Sequence, residues 1–205
     1  KSGVVTDLEK AEQAIRSVVG MAERAAGITV QSVVVNVTAG RLGSETFSAS
    51  VSLDGHEAEA SDISRVLIAV NQRSVRDERS IIHALPIGYA LDGQKGVRDP
   101  RGMVGETLGI DVAVISAETL AMRNIELALN RCHLEVEALM ATPYAAGLAT
   151  LVDDEAELGV ACIDMGGATT SVSVFAEGHL VYADALAIGG HHITLDIARQ
   201  LSVSV

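Results

Sequence analysis

The stretch Gly159-Val-Ala-Cys-Ile-Asp-Met-Gly-Gly-Ala-Thr-Thr-Ser-Val-Ser-Val-Phe175 constrains the chain more than any other. An apolar run ends at Asp164, two glycines follow, and an alternating segment closes the stretch. That pattern predicts a β-hairpin with Asp164 at the lip of its first strand. Gly166 and Gly167 are free to take positive φ and to bring bare N–H groups up to an anion. Ala168 follows them, and Thr169 and Thr170 add hydroxyls. A carboxylate placed like Asp164 holds a hydrated Mg²⁺ through water when phosphates lie beside it. The motif therefore predicts a metal–phosphate corner, with an ordinary glycine-turned hairpin as the plain alternative. Val172, Val174 and Phe175 are expected to oppose Ser171 and Ser173.

Aromatic residues make up only 2% of the chain and Trp is absent, so the core must be aliphatic. An aliphatic core suits an α/β fold with buried strands. A length of 205 residues allows one large domain or two small ones. The formal net charge of −12 excludes a general nucleic-acid binder, which needs a basic face, and excludes direct docking of this segment on anionic lipid. It leaves nucleotide binding open, because a phosphate site is built locally. Cys132 and Cys162 lack metal-ligand spacing and are expected to be buried free thiols in a reducing compartment. No signal peptide, apolar span or polybasic tail is evident. The chain starts at Lys1-Ser2-Gly3 without Met and stops at Val205 just after a helical pattern, so both ends read as cut from something longer.

Taken in order, Thr6-Asp-Leu-Glu9 fits a capping box, with Thr6 or Asp7 capping and Glu9 reaching back, that opens a helix to about Ala26, closed by Gly27. Val30 to Thr38, followed by Ala39-Gly40, predicts a buried strand. From Arg41 the texture changes. Glu45 to Leu53 predicts a half-exposed strand turned by Asp54-Gly55, and Ser61-Asp62 caps a short helix with Ile63, Val66, Leu67 and Val70 inward. Ser80 to Leu91 is a strand in which Pro86 demands an edge or a bulge. Asp92-Gly93 and the loop Arg98-Asp-Pro-Arg-Gly102 precede another strand, Leu108 to Ile115. Residues 41–116 thus read as strand, helix, strand, strand, a small α+β unit. Ala117 to Cys132 is expected to be a helix with Leu120, Ile125, Ala128, Leu129 and Cys132 inward. Leu134 to Ala141 is a strand, Pro143 opens a helix through Leu148 and Leu151, and Asp153 to Glu157 is a solvated acidic link. Gly178 turns a second hairpin into Leu180–Ile188. Gly189 and Gly190 then precede a helix with Ile193, Ile197 and Leu201 inward, and a glycine-led helix N-terminus is a second candidate anion site. His191 and His192 are adjacent, which suits exposure or capping and not a shared metal.

This order, with Asp164-Met-Gly-Gly-Ala-Thr-Thr170 and Gly189-Gly190-x-x-Ile193-Thr194-x-Asp196-Ile197-Ala198, resembles the actin/heat-shock-chaperone ATPase superfamily. Within it, the chain resembles the FtsA family of bacterial cell-division proteins over nearly its whole length. The more specific stretches are Gly3-Val-Val-Thr-Asp-Leu8, Val75-Arg-Asp-Glu78, His83-Ala-Leu-Pro86, Tyr89-Ala-Leu-Asp92, Gly96-x-x-x-Pro100-x-Gly102-Met103, Asn124, Arg131 and Asp154-Glu-x-Glu157-Leu-Gly159-Val160.

The resemblance implies a partial actin-like (ribonuclease-H-like) α/β ATPase fold with an inserted α+β subdomain. Residues 1–40 and 117–157 would belong to subdomain 1A, 41–116 to the inserted subdomain 1C, and 158–205 to the start of 2A. It implies ATP and Mg²⁺ as ligands. Asp164 would orient Mg²⁺ through water, Gly166, Gly167, Ala168, Thr169 and Thr170 would wrap the β/γ-phosphates, and Gly189 and Gly190 would lie near the nucleotide. Ala168 departs from the third glycine common in the family. The first phosphate loop, the FtsZ-binding region and the membrane-targeting C-terminal helix would lie outside this chain, leaving it half a nucleotide site. The implied role is a scaffold in the Z-ring. It would self-associate into filaments, tether FtsZ to the cytoplasmic face of the inner membrane at midcell, and recruit later divisome proteins through 41–116. A water-orienting Gln or Glu is missing at the start of the Pro143 helix, which reads Tyr144-Ala-Ala146, so at most slow turnover is expected. The alternatives are a pilus-assembly scaffold with a similar insert, an ethanolamine-utilisation or chaperone-like relative, or a small-molecule kinase of the same fold. Arg76, Arg79, Arg98 and Arg101 are candidate basic contacts on an acidic surface, with plain solvated arginines as the alternative.

Overall fold

The structure is a computed structural model that describes residues 4–38, 40–74 and 78–204. Lys1 to Gly3, Ala39, Val75-Arg76-Asp77 and Val205 lie outside the described residues, so the expectations that rest on Gly3, Arg76 and the first part of Val75–Glu78 are not carried further.

Helix α1 spans Leu8–Ala26. Asp7 caps it by accepting the Lys10 N–H at 3.1 Å, and Gly27 ends it in the left-handed region at φ 71°. Strand β1 (Ser32–Val37) pairs in parallel with β6 (Glu135–Ala141) as a two-stranded sheet. The expected burial of β1 is only half realised. Val33, Val35 and Val37 point inward while Val34 and Asn36 are exposed, as in a sheet covered on one face.

The second sheet has seven strands in the order β4-β3-β5-β2-β9-β8-β7. Its first part is the insert, formed by β2 (Gly43–Ser52), helix α2 (Ala60–Ser74), β3 (Arg79–Leu91), β4 (Gln94–Val97) and β5 (Thr107–Glu118). The unit holds one strand more than expected. Asp92 and Gly93 both take positive φ, 50° and 82°, and so turn β3 straight into the short β4. The ladder of β3 on β5 shifts register between Pro86 and Gly88, which is the bulge that Pro86 requires. Val66 and Val70 of α2 are buried against Leu53, Leu108, Ile110, Val112 and Val114. Asp62, 2% exposed, reaches back to the Glu59 N–H at 2.9 Å and also meets His56 and Arg65. Those partners, the Glu59 N–H foremost, hold its carboxyl below the ordinary range.

Helix α3 (Thr119–Arg131) starts later than the sequence implies, because Ala117 and Glu118 still belong to β5. Ala121 and Met122 therefore face inward with Ala128 and Leu129, and Leu120 is exposed. Helix α4 (Thr142–Thr150) opens on Pro143 as expected. The acidic link is not open coil but a short helix, α5 (Asp153–Leu158). Three acidic residues in its first turn suit a helix N-terminus, and Glu155 accepts the Val152 N–H at 3.2 Å. The remaining elements are β7 (Val160–Met165), β8 (Thr170–Ala176), β9 (His179–Leu186) and α6 (Gly190–Leu201).

Insert and hairpin join at a single rung, Gly43 opposite Asp184. One core spans the junction, with Ala113, Ile115 and Ala117 of β5 packed with Met122, Ala141, Phe175, Leu180 and Ala183. It is almost wholly aliphatic, and Phe175 is its one fully buried aromatic among the described residues. Cys132 and Cys162 are free thiols but half-buried, since each sits at the rim of a layer and not inside it.

The closest approach in this core is between α4 and β8. A Cβ on Gly147 would lie within 2.6 Å of Phe175 Cζ and 3.3 Å of Ser173 Oγ. Gly147→Ala is expected to overpack this contact and cost about 1–3 kcal/mol. A lowered urea midpoint with unchanged slope would register it.

Candidate functional site

Strands β7 and β8 form a regular antiparallel hairpin from Val160 opposite Phe175 to Met165 opposite Thr170. Asp164 stands directly opposite Ser171, one rung from the tip. The Gly166 N–H closes the tip by donating to the Thr169 carbonyl at 2.9 Å. Neither Gly166 nor Gly167 takes positive φ, contrary to the expectation from sequence. Their lack of side chains serves a different end. The chain leading into α6 lies flat on them.

That contact is close. The Gly190 N–H donates to the Gly166 carbonyl at 2.9 Å and the His191 N–H to the Gly167 carbonyl at 2.8 Å. Thr170 Oγ1 donates to the Ile188 carbonyl at 2.7 Å. Gly189 is buried, and a Cβ there would sit 2.5 Å from the Gly166 oxygen and 2.7 Å from the Thr169 nitrogen. His192 caps the helix, its Nδ1 accepting the Gly189 N–H at 3.1 Å, whereas His191 is exposed. The first N–H groups of α6 are thus committed to the hairpin. Gly189 and Gly190 hold the tip in place.

The N–H groups of Gly167, Ala168 and Thr169 donate to no acceptor among the described residues. Gly167 and Ala168 are exposed, and Thr169 is half-buried. Asp164 is half-buried and has no hydrogen bond or ion pair among the described residues. The structure therefore brings Asp164, the 166–170 tip and Gly189-Gly190 into one place, with unpartnered N–H groups and an unpartnered carboxylate side by side. Free amides suit an oxyanion, and a single carboxylate suits a cation that keeps most of its water, as Mg²⁺ does. Among the described residues no group of three or more His, Cys, Asp or Glu side chains is placed to hold a metal ion.

The inner face of the hairpin differs from the sequence expectation. Strict alternation puts Phe175 on the same face as Ser171 and Ser173, not opposite them. All three are buried, at 4%, 1% and 0% exposure, and Phe175 and Ser173 lie against Gly147 of α4. Neither serine hydroxyl has a hydrogen-bond partner among the described residues, an arrangement that costs about 1–3 kcal/mol per group. The Ser-x-Ser-x-Phe spacing carried that information in full. At the start of α4, Tyr144 meets His83 edge-on at 5.2 Å between ring centres and stacks on Phe175 at 6.4 Å. His83 Nε2 accepts the Ala141 N–H at 3.1 Å. Burial pushes the His83 imidazole below its ordinary pKa, which keeps that nitrogen free to accept. Of the arginines, Arg79 is clamped to Ser116 and the Arg41 carbonyl, Arg98 pairs with Glu157, and Arg101 pairs with Asp99. Helix α6 leaves Ile193, Ile197 and Leu201 exposed, against expectation, because it touches the sheet at its N-terminus and its apolar stripe lies open among the described residues. No described helix is long and apolar enough to cross a membrane.

The architecture is shared with solved proteins. The structure named "PilM-PilN type IV pilus biogenesis complex" matches all of this chain and 55% of its own at TM-score 0.67 and 17% identity. The ethanolamine utilization protein EutJ from Carboxydothermus hydrogenoformans matches all of it and 45% of its own at TM-score 0.50 and 17% identity. At such identities the likeness is one of fold, and it defines a partial actin-like ATPase fold carrying an insert. Sequence narrows this to a family. Residues 39–116 match the family described as "SHS2 domain inserted in FTSA", and residues 161–205 match "Cell division protein FtsA". The Cell division protein FtsA of Agrobacterium fabrum is 56% identical over the whole chain, that of Pseudomonas aeruginosa 34% over 98% of it, and that of Bacillus subtilis 31% over all of it. The chain belongs to the FtsA family of cell-division proteins. It spans 46–48% of the length of these relatives.

Because Gly189 abuts backbone and no movable side chain, Gly189→Ala is expected to cost about 3 kcal/mol and to loosen residues 166–170. Thermal melting together with amide exchange at those positions would check both effects.

Proposed function

We infer that this segment contributes the second half of a nucleotide site in a cell-division scaffold of the FtsA type, with ATP and Mg²⁺ as its ligands. The observation that carries the reading is the pairing, on one hairpin, of free tip amides at Gly167, Ala168 and Thr169 with the unpartnered carboxylate of Asp164. The amides bind phosphate oxygens, and Asp164 holds a water of the cation's shell. Thr169 and Thr170 flank the phosphates. Gly166, Gly189 and Gly190 fix the tip's shape. Bound MgATP supplies phosphate charge and a polarising cation at this corner. The chain's own part is to bind and orient them.

In this reading residues 1–40 and 117–157 form subdomain 1A, 41–116 the inserted subdomain, and 158–205 the start of subdomain 2A. The scaffold self-associates into filaments, tethers FtsZ and attaches to the cytoplasmic face of the inner membrane at midcell through regions outside this chain. The insert recruits later divisome proteins. Nucleotide acts as a conformational ligand with slow turnover. The start of α4 offers Tyr144, Ala145 and Ala146 and not a Gln or Glu to orient an attacking water, and the Tyr144 ring is engaged by His83 and Phe175. That same lack disfavours a small-molecule kinase. A pilus-type scaffold shares the fold, but 56% identity to an FtsA outweighs 17% to the pilus protein.

In the full-length protein that carries this segment, Asp164→Ala is expected to lower MgATP affinity about 10–100-fold while sparing metal-free ATP. Calorimetric titration with and without EDTA tests this. Equal MgATP binding by variant and wild type contradicts the assignment.

A further inference from the structure

The insert meets the two-stranded sheet through a histidine. The β3–β5 ladder shifts register between Ile81 and His83, and shifts of this kind re-aim a side chain. His83 reaches the junction of β6 and α4, where its Nε2 accepts the Ala141 N–H at 3.1 Å. Strand β6 has β1 on one edge only among the described residues, so the insert supplies the acceptor that a ladder does not. Ala141 is fully buried and no side chain caps α4, so this N–H has no substitute partner within reach. The Tyr144 ring stands edge-on to the imidazole at 5.2 Å. A nitrogen that accepts must be unprotonated, which places the ring proton on Nδ1. A second proton, on Nε2, turns the acceptor into a donor that faces another donor. Other side-chain bonds also leave the insert. Ser44 accepts the Ala183 N–H at 2.7 Å, Ser80 donates to Thr119 at 3.1 Å, and Arg98 pairs with Glu157. Hydroxyl, guanidinium and carboxylate groups do not ordinarily titrate near neutrality, whereas an imidazole does.

We propose that His83 is a proton-released joint: neutral, it ties β3 of the insert to the start of α4 through the Ala141 N–H, and protonation at Nε2 unties them. The joint needs no nucleotide and stands apart from the nucleotide reading. Burial pushes the imidazole below its ordinary pKa, so the folded state prefers the neutral ring. The tie is therefore fully present above about pH 6.5 and is lost as pH falls from there toward the ring's own lower pKa. Burial is the sole cause of that shift, and no charged neighbour adds to it. Tyr144 is the titratable group that faces the ring from α4. The charged groups of the adjoining strands are engaged elsewhere, Arg79 with Ser116, Asp111 with Lys95, Glu118 with Arg41 and Asp184 with Tyr182. Glu135 and Glu137 of β6 and Arg123 of α3 are exposed, and Glu126 of α3 is half-buried.

The test is residue-resolved amide exchange of the full-length protein from about pH 8 to about pH 5, for wild type, His83→Gln and His83→Phe. Rates are expressed as protection, which removes the intrinsic pH dependence of exchange. In wild type, protection at Ala141 is expected to hold down to about pH 6.5 and then to fall about 10-fold by about pH 5. The amides that form the β1–β6 ladder keep theirs. A glutamine carbonyl accepts an N–H and does not titrate, so His83→Gln keeps Ala141 protected with no dependence on pH. His83→Phe keeps a ring against Tyr144 but no acceptor, and lowers protection at Ala141 at every pH. Nitrogen NMR shifts of the His83 ring at neutral pH are expected to report a neutral imidazole with its proton on Nδ1. Flat protection at Ala141 in wild type overturns the joint. The same fall in His83→Gln assigns the loss to other groups and also overturns it, as does a ring proton on Nε2 at neutral pH. Should either variant fail to fold, the wild-type protection profile and ring shifts decide the matter by themselves.

Discussion

Everything at the candidate site depends on one backbone contact. The chain entering α6 lies against the β7–β8 tip, with the Gly190 and His191 N–H groups donating to the carbonyls of Gly166 and Gly167. The carbonyls are thereby turned inward and occupied. The Gly167, Ala168 and Thr169 amides of the same tip have no acceptor among the described residues. A hairpin tip on its own would present donors and acceptors alike. Here the chain entering α6 occupies the carbonyls of Gly166 and Gly167, while those three N–H groups keep no acceptor among the described residues and so suit an anion. Gly189 makes this possible, because any side chain there would push α6 off the tip. In the proposed nucleotide site the helix N-terminus would therefore act on a phosphate only through the tip it supports.

The second constraint comes from beneath. Helix α4 lies on the inner face of the hairpin so closely that Gly147 leaves space only for the Phe175 ring and the Ser173 hydroxyl. The aromatic contacts of Tyr144 with Phe175 and His83, and the bond from the Ala141 N–H to His83, fix the start of α4 to both the hairpin and β3 of the insert. One core runs from β5 through Met122 and Ala141 to Leu180. Insert and hairpin are thus packed on common residues, and a shift of α4 would be felt in both.

Much of this was legible in the sequence. The hairpin, its Asp164 lip, the helix after Gly189-Gly190, the Asp7 and Gly27 caps and the bulge at Pro86 all follow from local rules, because each depends on residues close together in the chain. The errors lie where a neighbour distant in sequence decides. Gly166 and Gly167 suggested positive φ, but their smallness answers to the approach of α6. Leu120, Ile193, Ile197 and Leu201 carry a helical apolar period, yet periodicity does not say whether a partner covers the stripe. The acidic run at Asp153 was a helix N-terminus whose charge suits its dipole. Phe175 departs from expectation for another reason. It resembles the valines in type, but a strict period of two along β8 places it with Ser171 and Ser173.

The central claim is that the tip amides of Gly167, Ala168 and Thr169 hold the phosphates of a nucleotide. Amide hydrogen exchange of the full-length protein, resolved by residue and measured with and without saturating MgATP, tests it most directly. The account predicts new protection at Gly167, Ala168 and Thr169, and little change at Gly190 and His191, whose N–H groups are already bonded to the tip. Nucleotide binding that leaves those three amides exchanging as before would contradict it.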